Sequence, residues 1–405
     1  MNLLIIHQNF PGQFRHVALA ALSRPSDNVI AIGRDTAPGL PGVKCFRYTS
    51  KRKASNTHPY LHQYEEAIVV GQQVSKLLER LKEKGYRPDV ILAHPGWGET
   101  LFVKDVYPDI PLIHFCEYYY HSTGADVGFD PEFPCAPDAS SRIRPLNSMH
   151  LLNLEQCDIG IAPTLWQRSL FPSAYHSKIH VIHEGIPFQS PETAPIASVK
   201  LPSGHVLEAE QPVVTYVARN LEPYRGFHSF MRSVSYIQAQ CPEAKIVIIG
   251  GDGVSYGRMP IGYENWRSKM VAESEVDLST VHFAGKLPYE TYRAVLRISN
   301  VHVYLTYPFV LSWSLLEAMA SGCVVVGSNT APVKEVIADG VNGLLVDFFD
   351  SEAMAEKVCS VLNNSGEFSV IRAAAISTAG RFDLRRGVKG YFEIFDRMMS
   401  CRCSK

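Results

Sequence analysis

The 405-residue sequence contains no apolar run near the roughly 20 residues that a membrane-spanning helix needs. It also lacks an excess of either charge, because its formal net charge is -1 and both signs are spread evenly along it. This balance argues against a strongly basic nucleic-acid binder. The opening MNLLIIHQNF has no basic segment and too short an apolar run for a signal peptide, so we expect a cytoplasmic protein.

Motifs of metal and acyl-transfer chemistry are missing as well. The nine cysteines are scattered without the paired spacing of a zinc site, which is typical of reduced cytosolic thiols. The sequence contains neither HExxH, nor the DxD of metal-dependent sugar transferases, nor GxSxG. We therefore expect no metal ion and no bound cofactor.

Short apolar runs alternate with helical patterns along most of the chain, which predicts a mainly parallel sheet covered by helices on both faces. The run NLLIIH (2–7) is the first predicted strand, and an amphipathic helix is predicted over 64–85. The alternation pauses at 188–211, which is rich in Pro, Ser and Ala and which we interpret as a linker or a surface excursion. It restarts at 213, so the sequence predicts two α/β domains.

Polar residues follow several predicted strands of the first half, at the edge where doubly wound sheets bind ligands. Gly12 lies in the first strand-to-helix turn, where it either lets a ligand approach the backbone or only makes a tight turn. His94 follows another strand, and Glu117 and His121 follow a third. A single histidine in such a loop is commonly structural or solvated. Because several polar groups converge here, we interpret them as a binding wall.

Two arginines, Arg219 and Arg225, flank the first loop of the second half. Fixed arginines suit a diphosphate, because the guanidinium fork matches phosphate oxygens. The alternatives are that both are solvated or that one pairs with Glu222. The segments IIGGDGVSYG (248–257) and HFAGKLPYETY (282–292) follow further strands and offer backbone groups to a nucleotide, or are ordinary turns.

A single carboxylate, Glu317, lies in the otherwise apolar stretch YPFVLSWSLLEAMASG (307–322). Two roles stay open for it. With Ser314 three residues earlier it fits a helix capping box, where it would serve structure alone. At a strand-to-helix junction it would also accept hydrogen bonds from the hydroxyl groups of a ligand.

These motifs together resemble the retaining glycosyltransferases of family 4, which have the GT-B fold. The resemblance covers nearly the whole chain and is most specific in YVARNLEPYRGF (216–227) and in LLEAMASGCVVVGSNTAPVKEVIADGVNGLLVDFFD (315–350). It implies an α/β fold of two doubly wound, Rossmann-like domains that face each other across a deep cleft. Here these domains would be 1–190 and 205–385, with a C-terminal helix of about 386–405 packing back on the first.

The resemblance also implies an activity, a metal-independent glycosyltransferase of the hexosyltransferase type in polysaccharide or glycoconjugate biosynthesis. Such an enzyme moves a sugar, with retention, from a nucleoside-diphosphate sugar to a hydroxyl acceptor (a glycan, a lipid or a small molecule) bound mainly to the first domain. UDP is the first expectation for the nucleotide and GDP the second. We expect no nucleic-acid partner, we leave the oligomeric state open, and only the KRK cluster at 51–53 suggests weak peripheral contact with the inner face of a membrane.

Residue by residue, the resemblance predicts the site. Arg219 and Arg225 match the arginine and lysine that hold the donor diphosphate, and Glu317 matches the ribose-binding second glutamate of an E-x7-E motif. The predicted catalytic residues are Arg219, Arg225, Glu117 and His121. The predicted donor-binding residues are Gly12, Arg219, Arg225, Gly251, Lys286, Leu287, Leu311, Ser312, Trp313, Ser314 and Glu317.

Two positions depart from the family pattern, and both belong to the reacting end of the donor. Phe309 stands where the first glutamate of the motif is expected. Glu117 stands where a histidine is usual, with His121 four residues later as a substitute. Two alternatives to a transferase follow. One is a sugar-nucleotide-binding protein without transfer activity, and the other is a sugar-nucleotide epimerase of the same fold.

Overall fold

The chain divides into two units, each with its own parallel sheet. A computed structural model describes residues 1–50, 57–188 and 196–403. Unit 1 comprises Met1–Gly185 and Leu384–Lys405, and unit 2 comprises Ile186–Asp383.

Seven strands build the sheet of unit 1: β1 (Asn2–Ile6), β2 (Asn28–Arg34), β3 (Lys44–Tyr48), β4 (Val90–Ala93), β5 (Leu112–Phe115), β6 (Ile159–Ala162) and β7 (Ile179–Val181). They pair in parallel in the order β3-β2-β1-β4-β5-β6-β7. Five helices lie between them in the chain: α1 (Arg15–Leu22), α2 (His62–Glu83), α3 (Val103–Val106), α4 (Ala139–Gln156) and α5 (Leu165–Leu170). Every residue of β4 and β5 is buried, because helices cover both faces of the sheet.

Unit 2 begins with an antiparallel hairpin of β8 (Ser198–Lys200) and β9 (Val206–Glu208). Its main sheet contains β10 (Val213–Asn220), β11 (Lys245–Gly251), β12 (Val281–Gly285), β13 (Val301–Tyr304), β14 (Val324–Ser328) and β15 (Leu344–Val346). These six strands pair in parallel in the order β12-β11-β10-β13-β14-β15. The helices are α6 (Phe227–Gln240), α7 (Trp266–Glu273), α8 (Tyr289–Ile298), α9 (Trp313–Ala320), α10 (Ala331–Lys334), α11 (Ser351–Asn363) and α12 (Ser369–Gly380).

The last helix, α13 (Leu384–Cys403), belongs to unit 1 although it follows unit 2 in the chain. Its aromatic residues Tyr391, Phe392 and Phe395 are buried in one cluster with Phe14 and Phe115 of unit 1. Unit 1 is therefore made of two chain segments that share one core.

Both sheets have a topological switch point, where the chain leaves a central strand toward one side and later resumes on the other. In unit 1 the central strand β1 lies between β2 and β4, and in unit 2 the central strand β10 lies between β11 and β13. The loops that follow the two strands at such a point diverge and leave a crevice for ligands. The sequence therefore places ligand-binding residues after β1 and β4, and after β10 and β13.

Two details of the sequence prediction need correction. The segment 188–211 is not a simple linker, because residues 198–208 form the β8–β9 hairpin and Leu207 is buried in the core of unit 2. Strand β3 was not predicted, because its sequence KCFRY is only partly apolar and only Tyr48 in it is buried.

The KRK cluster at 51–53 lies outside the described residues. Among the helices that the structure describes, none is long and apolar enough to cross a membrane.

Candidate active site

Four polar side chains meet at the switch point of unit 1, and we call them the Glu117 network: His7, Gln13, His94 and Glu117. His7 directly follows β1, and His94 directly follows β4. The Gln13 amide nitrogen donates to Glu117 Oε1 at 2.7 Å, and the Gln13 amide oxygen lies 2.8 Å from His7 Nε2. His94 Nε2 lies 3.1 Å from Glu117 Oε2. The carboxylate of Glu117 is thus bound on both oxygens.

Backbone contacts fix which ring nitrogen of each histidine carries its proton. The Asn9 amide donates to His7 Nδ1 at 2.9 Å, and the Gly96 amide donates to His94 Nδ1 at 3.1 Å. Because each Nδ1 is an acceptor, each Nε2 carries the hydrogen and donates into the network. Burial would raise the pKa of the Glu117 carboxyl, but the hydrogen bonds from His94 and Gln13 and the electrostatic effect of the adjacent imidazoles outweigh it and hold the pKa below its usual range. Glu117 is therefore ionised at neutral pH.

Gly12 serves this network through its small size. Its φ of +48° is in the left-handed region, and a Cβ at this position would overlap the imidazole ring of His7. The sequence prediction assigned Gly12 to the close approach of a ligand. The structure shows the His7 ring packed against it, and the absence of a Cβ allows the histidine to reach Gln13.

His121 is not part of the Glu117 network. Its Nε2 lies 2.7 Å from the carbonyl oxygen of Leu170, and its ring contacts Tyr119. The histidine that joins Glu117 is His94, whose ring also stacks on Trp97 with centroids 4.5 Å apart. Of the two predicted catalytic residues of unit 1, Glu117 and His121, only the first lies at the switch point.

The two predicted arginines of unit 2 differ in environment. Arg219, near the end of β10, is exposed. Arg225 is only 8% exposed, and its Nη1 donates to Thr306 Oγ1 and to the Val310 carbonyl oxygen, both at 2.9 Å. Arg225 therefore joins the loop after β10 to the loop after β13 across the switch point. It is not a solvated surface arginine.

Glu222 does not pair with either arginine. Its buried carboxylate accepts the backbone amides of Ser255 at 2.9 Å, Tyr256 at 3.2 Å and Gly257 at 2.8 Å. Three amides on one carboxylate fix the glycine-rich loop after β11 to the loop after β10. The sequence had offered Glu222 only as an ion-pair partner.

Glu317 lies on α9, with its carboxylate held by two tyrosines of α8. Tyr289 donates to Oε1 at 2.8 Å and Tyr292 donates to Oε2 at 2.9 Å. Burial and the adjacent carboxylate raise the pKa of both tyrosine hydroxyls, so both remain protonated donors. Burial also raises the pKa of Glu317, and the two hydroxyls offset this only in part. Each carboxylate oxygen keeps a lone pair for a further donor.

The predicted capping box at Ser314 and Glu317 is wrong. The N-cap of α9 is Ser312, whose hydroxyl accepts the Ser314 amide at 3.4 Å. Glu317 is the fifth residue of the helix, and the first turn contains no acidic side chain. The amide of Ser312, a predicted donor-binding residue, donates to the Tyr304 hydroxyl at 2.8 Å, so this group is already used within the protein.

Phe309 packs into an aromatic cluster. It is 7% exposed, and its ring centroid lies 4.9 Å from that of Tyr256 and 5.7 Å from that of Tyr224. The position of the missing glutamate is thus filled by an apolar ring. The Arg225 guanidinium lies over another ring of this cluster, 5.5 Å from the Tyr256 centroid.

The remaining predicted donor residues lie around the ends of β11, β12 and β13. A Cβ at Gly251 would come within 2.6 Å of Lys286 Cε and 2.8 Å of Asn220 Oδ1, so these three residues meet. Leu287, Leu311 and Trp313 are partly buried against the core of unit 2. Leu287, Leu311 and Trp313 thus pack against the protein, whereas the side chain of Lys286 is exposed.

Sequence reasoning missed several of these groups. Gln13, Tyr289 and Tyr292 each donate to a predicted carboxylate, and His7 contacts Gln13, but none of the four was singled out. The available signal was position, because His7 ends the first strand and Tyr289 directly follows the loop after β12. Within the described chain, no group of three or more His, Cys, Asp or Glu side chains could hold a metal ion.

Comparison with solved structures places both sheets in the GT-B class of α/β proteins. Sucrose-phosphate synthase of Thermosynechococcus elongatus matches 99% of this chain and 100% of its own with a TM-score of 0.71 and 16% identity. Anabaena HepE, solved with UDP-glucose, matches 98% of this chain and 100% of its own with a TM-score of 0.67 and 16% identity. The predicted fold of two doubly wound, Rossmann-like domains is confirmed.

Two family models then identify the family. Residues 25–190 match a glycosyl transferase family 4 group, and residues 200–381 match the glycosyl transferases group 1. The chain belongs to the family 4 glycosyltransferases, as its motifs had predicted. A D-inositol 3-phosphate glycosyltransferase of Thermobispora bispora is 22% identical over 253 residues, which are 59% of this chain and 56% of that protein. The chain thus spans about half the length of the curated relatives it matches.

Proposed function

We propose that the protein transfers a sugar from a nucleoside-diphosphate sugar to a hydroxyl acceptor, with retention and without a metal ion. The donor binds at the switch point of unit 2 and the acceptor binds at that of unit 1. The observation that carries this proposal is the pair Arg219 and Arg225 in one loop, with Arg225 fixed by Thr306 and Val310. Membership of a glycosyltransferase family supports the reaction class.

The arginines meet the main electrostatic demand of the reaction. Negative charge develops on the leaving diphosphate as its bond to the anomeric carbon breaks. A preorganised cation near that oxygen stabilises the transition state, because it needs no reorientation as the charge appears. Arg225 has this preorganisation through its protein contacts, and the exposed Arg219 supplies a second, more adaptable charge. The N-terminus of α9 adds a favourable dipole.

Glu317 suits the ribose of the nucleotide. Its two tyrosine partners orient the carboxylate, and each oxygen still accepts one hydrogen bond from a ribose hydroxyl. UDP is the first nucleotide to test, because HepE was solved with UDP-glucose, and GDP is the second.

The acceptor hydroxyl attacks the anomeric carbon on the face that the diphosphate leaves. The new carbon–oxygen bond forms as the old one breaks, and the acceptor proton passes to the departing phosphate oxygen. This route requires no protein base. The ionised Glu117, held by His94 and Gln13, supplies a fixed negative charge at the switch point of unit 1, where the acceptor binds.

A two-stage experiment tests the proposal. Thermal shifts with UDP-, GDP-, ADP- and TDP-sugars identify the donor, because a ligand that binds only the folded state raises the Tm. Incubation with that donor and a panel of hydroxyl acceptors should release nucleoside diphosphate, equally with and without EDTA. The product should keep the anomeric configuration of the donor by NMR. Release that requires an added divalent ion, or an inverted product, contradicts the corresponding part of the proposal.

One observation favours the second candidate, a sugar-nucleotide-binding protein without transfer. Phe309 fills with an apolar ring the position where the family has a glutamate. Donor binding without nucleotide release across the whole acceptor panel would support this candidate. Conversion of the donor without any acceptor would instead indicate an epimerase.

A further inference from the structure

Unit 1 contains a cavity of about 80 Å³ beside the Glu117 network. It lies between the loop after β4, the end of β5 and the middle of α4. Its lining includes six residues with polar side chains: His94, His114, Glu117, Tyr120, His150 and Asn153. Glu117 marks its outer end, because 30% of its side-chain surface is accessible to solvent. The cavity has room for a small polar group or for several water molecules.

Two histidines of this lining have ring nitrogens without a hydrogen-bond partner in the described chain. His114 on β5 is 1% exposed, and neither of its ring nitrogens has a hydrogen-bond partner in the described chain. His150 on α4 is 7% exposed, and its Nε2 is likewise without a partner there. Buried polar groups in folded proteins are nearly always paired, and an unpaired one destabilises the fold. Two such groups on one cavity indicate that something outside the chain pairs with them.

The chemistry of the lining selects a neutral ligand. Burial lowers the pKa of His114 to about 3 and that of His150 to about 4, so both imidazoles are uncharged at neutral pH. A neutral imidazole offers one donor and one acceptor, which is what a hydroxyl group also offers. The charged group at the outer end is the Glu117 carboxylate, which repels anions. A phosphate or carboxylate on the ligand would therefore meet no cation among these six residues.

We propose that this cavity is the acceptor subsite and that it takes hydroxyl groups of a neutral sugar or polyol. The proposal rests on the proposed transferase function and makes it more specific, because it excludes an acceptor whose phosphate enters unit 1. The hydroxyls that enter the cavity pair with His114 and His150, and the reacting hydroxyl remains outside, near Glu117. Tyr120 lines the same wall, where the Asn153 amide is already bonded to Thr100 and Met149.

The test measures binding of small probes to the full chain in the presence of UDP. The probes are D-glucose and myo-inositol, each compared with its monophosphate, by saturation-transfer NMR and calorimetry. The variants His150→Phe and His114→Phe remove the unpaired nitrogens with little change of volume. His302→Phe is the matched control, because His302 is equally buried and also has an unpartnered Nε2 but lies on β13 of unit 2.

The wild type should bind at least one neutral probe more tightly than its monophosphate. Either cavity variant should weaken that binding by about 10-fold or more, while its Tm stays equal or rises. The control should bind the probes as the wild type does. Stronger binding of a monophosphate, binding of no probe, or full binding by both cavity variants overturns the proposal, and the last result identifies a cavity that holds only water.

Failure of the transferase proposal is measured separately. UDP binding and nucleotide release depend on unit 2, and both are recorded for the same samples. If neutral probes bind and the cavity variants lose them, the polyol site stands even when no donor is turned over. If donor is turned over but no probe binds, the transferase stands and the cavity proposal fails.

Discussion

The two units use one sheet topology for different chemistry. In both, a central strand lies between the strands that follow it on either side, and polar residues gather where the chain reverses. In unit 1 these residues are histidines, a glutamine and an ionised glutamate that bind one another. In unit 2 they are an arginine and two glutamates that are held by backbone amides, carbonyls and tyrosines. The strand order thus determines where the polar residues gather, and the loop sequences determine the charge of the site.

This difference teaches how each unit positions a carboxylate. At Glu117 the hydrogen bonds from His94 and Gln13 outweigh burial and the pKa falls, whereas at Glu317 burial outweighs the two tyrosine donors and the pKa rises. In unit 1 the ionised Glu117 therefore lies beside a cavity that is lined by the uncharged histidines His114 and His150. Unit 2 combines a carboxylate that can accept ligand hydroxyls with two arginines near the end of its central strand, which suits a polar and anionic nucleotide.

The largest expected effect comes from removing the fixed cation of unit 2. Arg225→Ala should lower turnover by about 10²-fold or more, because the donor diphosphate loses a preorganised partner. It should also lower the Tm, because the Val310 carbonyl loses its hydrogen bond. Steady-state kinetics with the identified donor and calorimetry measure the two effects. Near-normal turnover would contradict the role of Arg225.

Arg219→Ala separates chemistry from stability. Arg219 is exposed, and its guanidinium makes no hydrogen bond or ion pair within the described residues, so its loss should lower turnover while leaving the Tm within about 1 °C. Arg381→Ala, at an exposed position directly after α12, is the matched control and should change neither quantity. If Arg219→Ala behaves like the control, the diphosphate is held by Arg225 alone.

Breaking the carboxylate–amide contact of Glu222 should free the loop after β11. Glu222→Ala leaves the amides of Ser255, Tyr256 and Gly257 without their acceptor. We expect hydrogen exchange at these amides to accelerate about 10-fold to 100-fold, since each lost charged contact has a value of about 1.5–3 kcal/mol. Glu264→Gln, at an exposed position farther along the same loop, should leave the rates unchanged. Unchanged exchange in Glu222→Ala would mean that the loop is held elsewhere.

The opposite pKa shifts of Glu117 and Glu317 predict opposite pH dependence of stability. The pKa of Glu117 is lowered on folding, so its contribution is present above about pH 4.5 and is lost as the pH falls through the lower, folded value. The pKa of Glu317 is raised, so its ionisation costs stability as the pH rises from about 4.5 through the folded value. Relative to the wild type, Glu117→Gln should therefore lose Tm between pH 4 and pH 7, and Glu317→Gln should gain it.

Calorimetry across this pH range measures both differences. Glu243→Gln at an exposed position is the control and should follow the wild type throughout. Shifts of the same sign in the two variants would contradict the assigned environments. Such a result would also remove the contrast between an ionised carboxylate in unit 1 and a buried one in unit 2.

The sequence was sufficient for the parts of the molecule that depend on local pattern. Strand and helix alternation, the two switch-point loops, Arg219, Arg225, Glu117 and Glu317 all follow from periodicity and motif. The partners of these residues do not, because they are distant in the chain. Gln13 and Glu117 are 104 residues apart, and Tyr289 and Glu317 are 28 apart. Such pairs depend on strand order and helix packing, which no local pattern specifies.

Local competition explains the other differences. Ser312 and Ser314 are both acceptable helix caps by sequence, and the extended backbone of Ser312 decides between them. The hairpin at 198–208 was hidden by its short strands and by the Pro, Ser and Ala around it. In both cases the local pattern is compatible with the observed structure, but it does not distinguish that structure from the alternatives.

The smallest expected effect compares two tyrosine–carboxylate bonds, one in each unit. The Tyr48 hydroxyl donates to buried Glu99 at 2.7 Å, while Glu99 Oε2 has no partner in the described chain. Tyr48→Phe should lower the free energy of unfolding by about 1–3 kcal/mol, because it leaves a buried carboxyl group without that donor. Tyr289→Phe should cost about 1 kcal/mol or less, because Glu317 keeps Tyr292 and Tyr289 is 43% exposed. Urea denaturation of the two variants measures the difference, and an equal cost would show that the second tyrosine does not support Glu317.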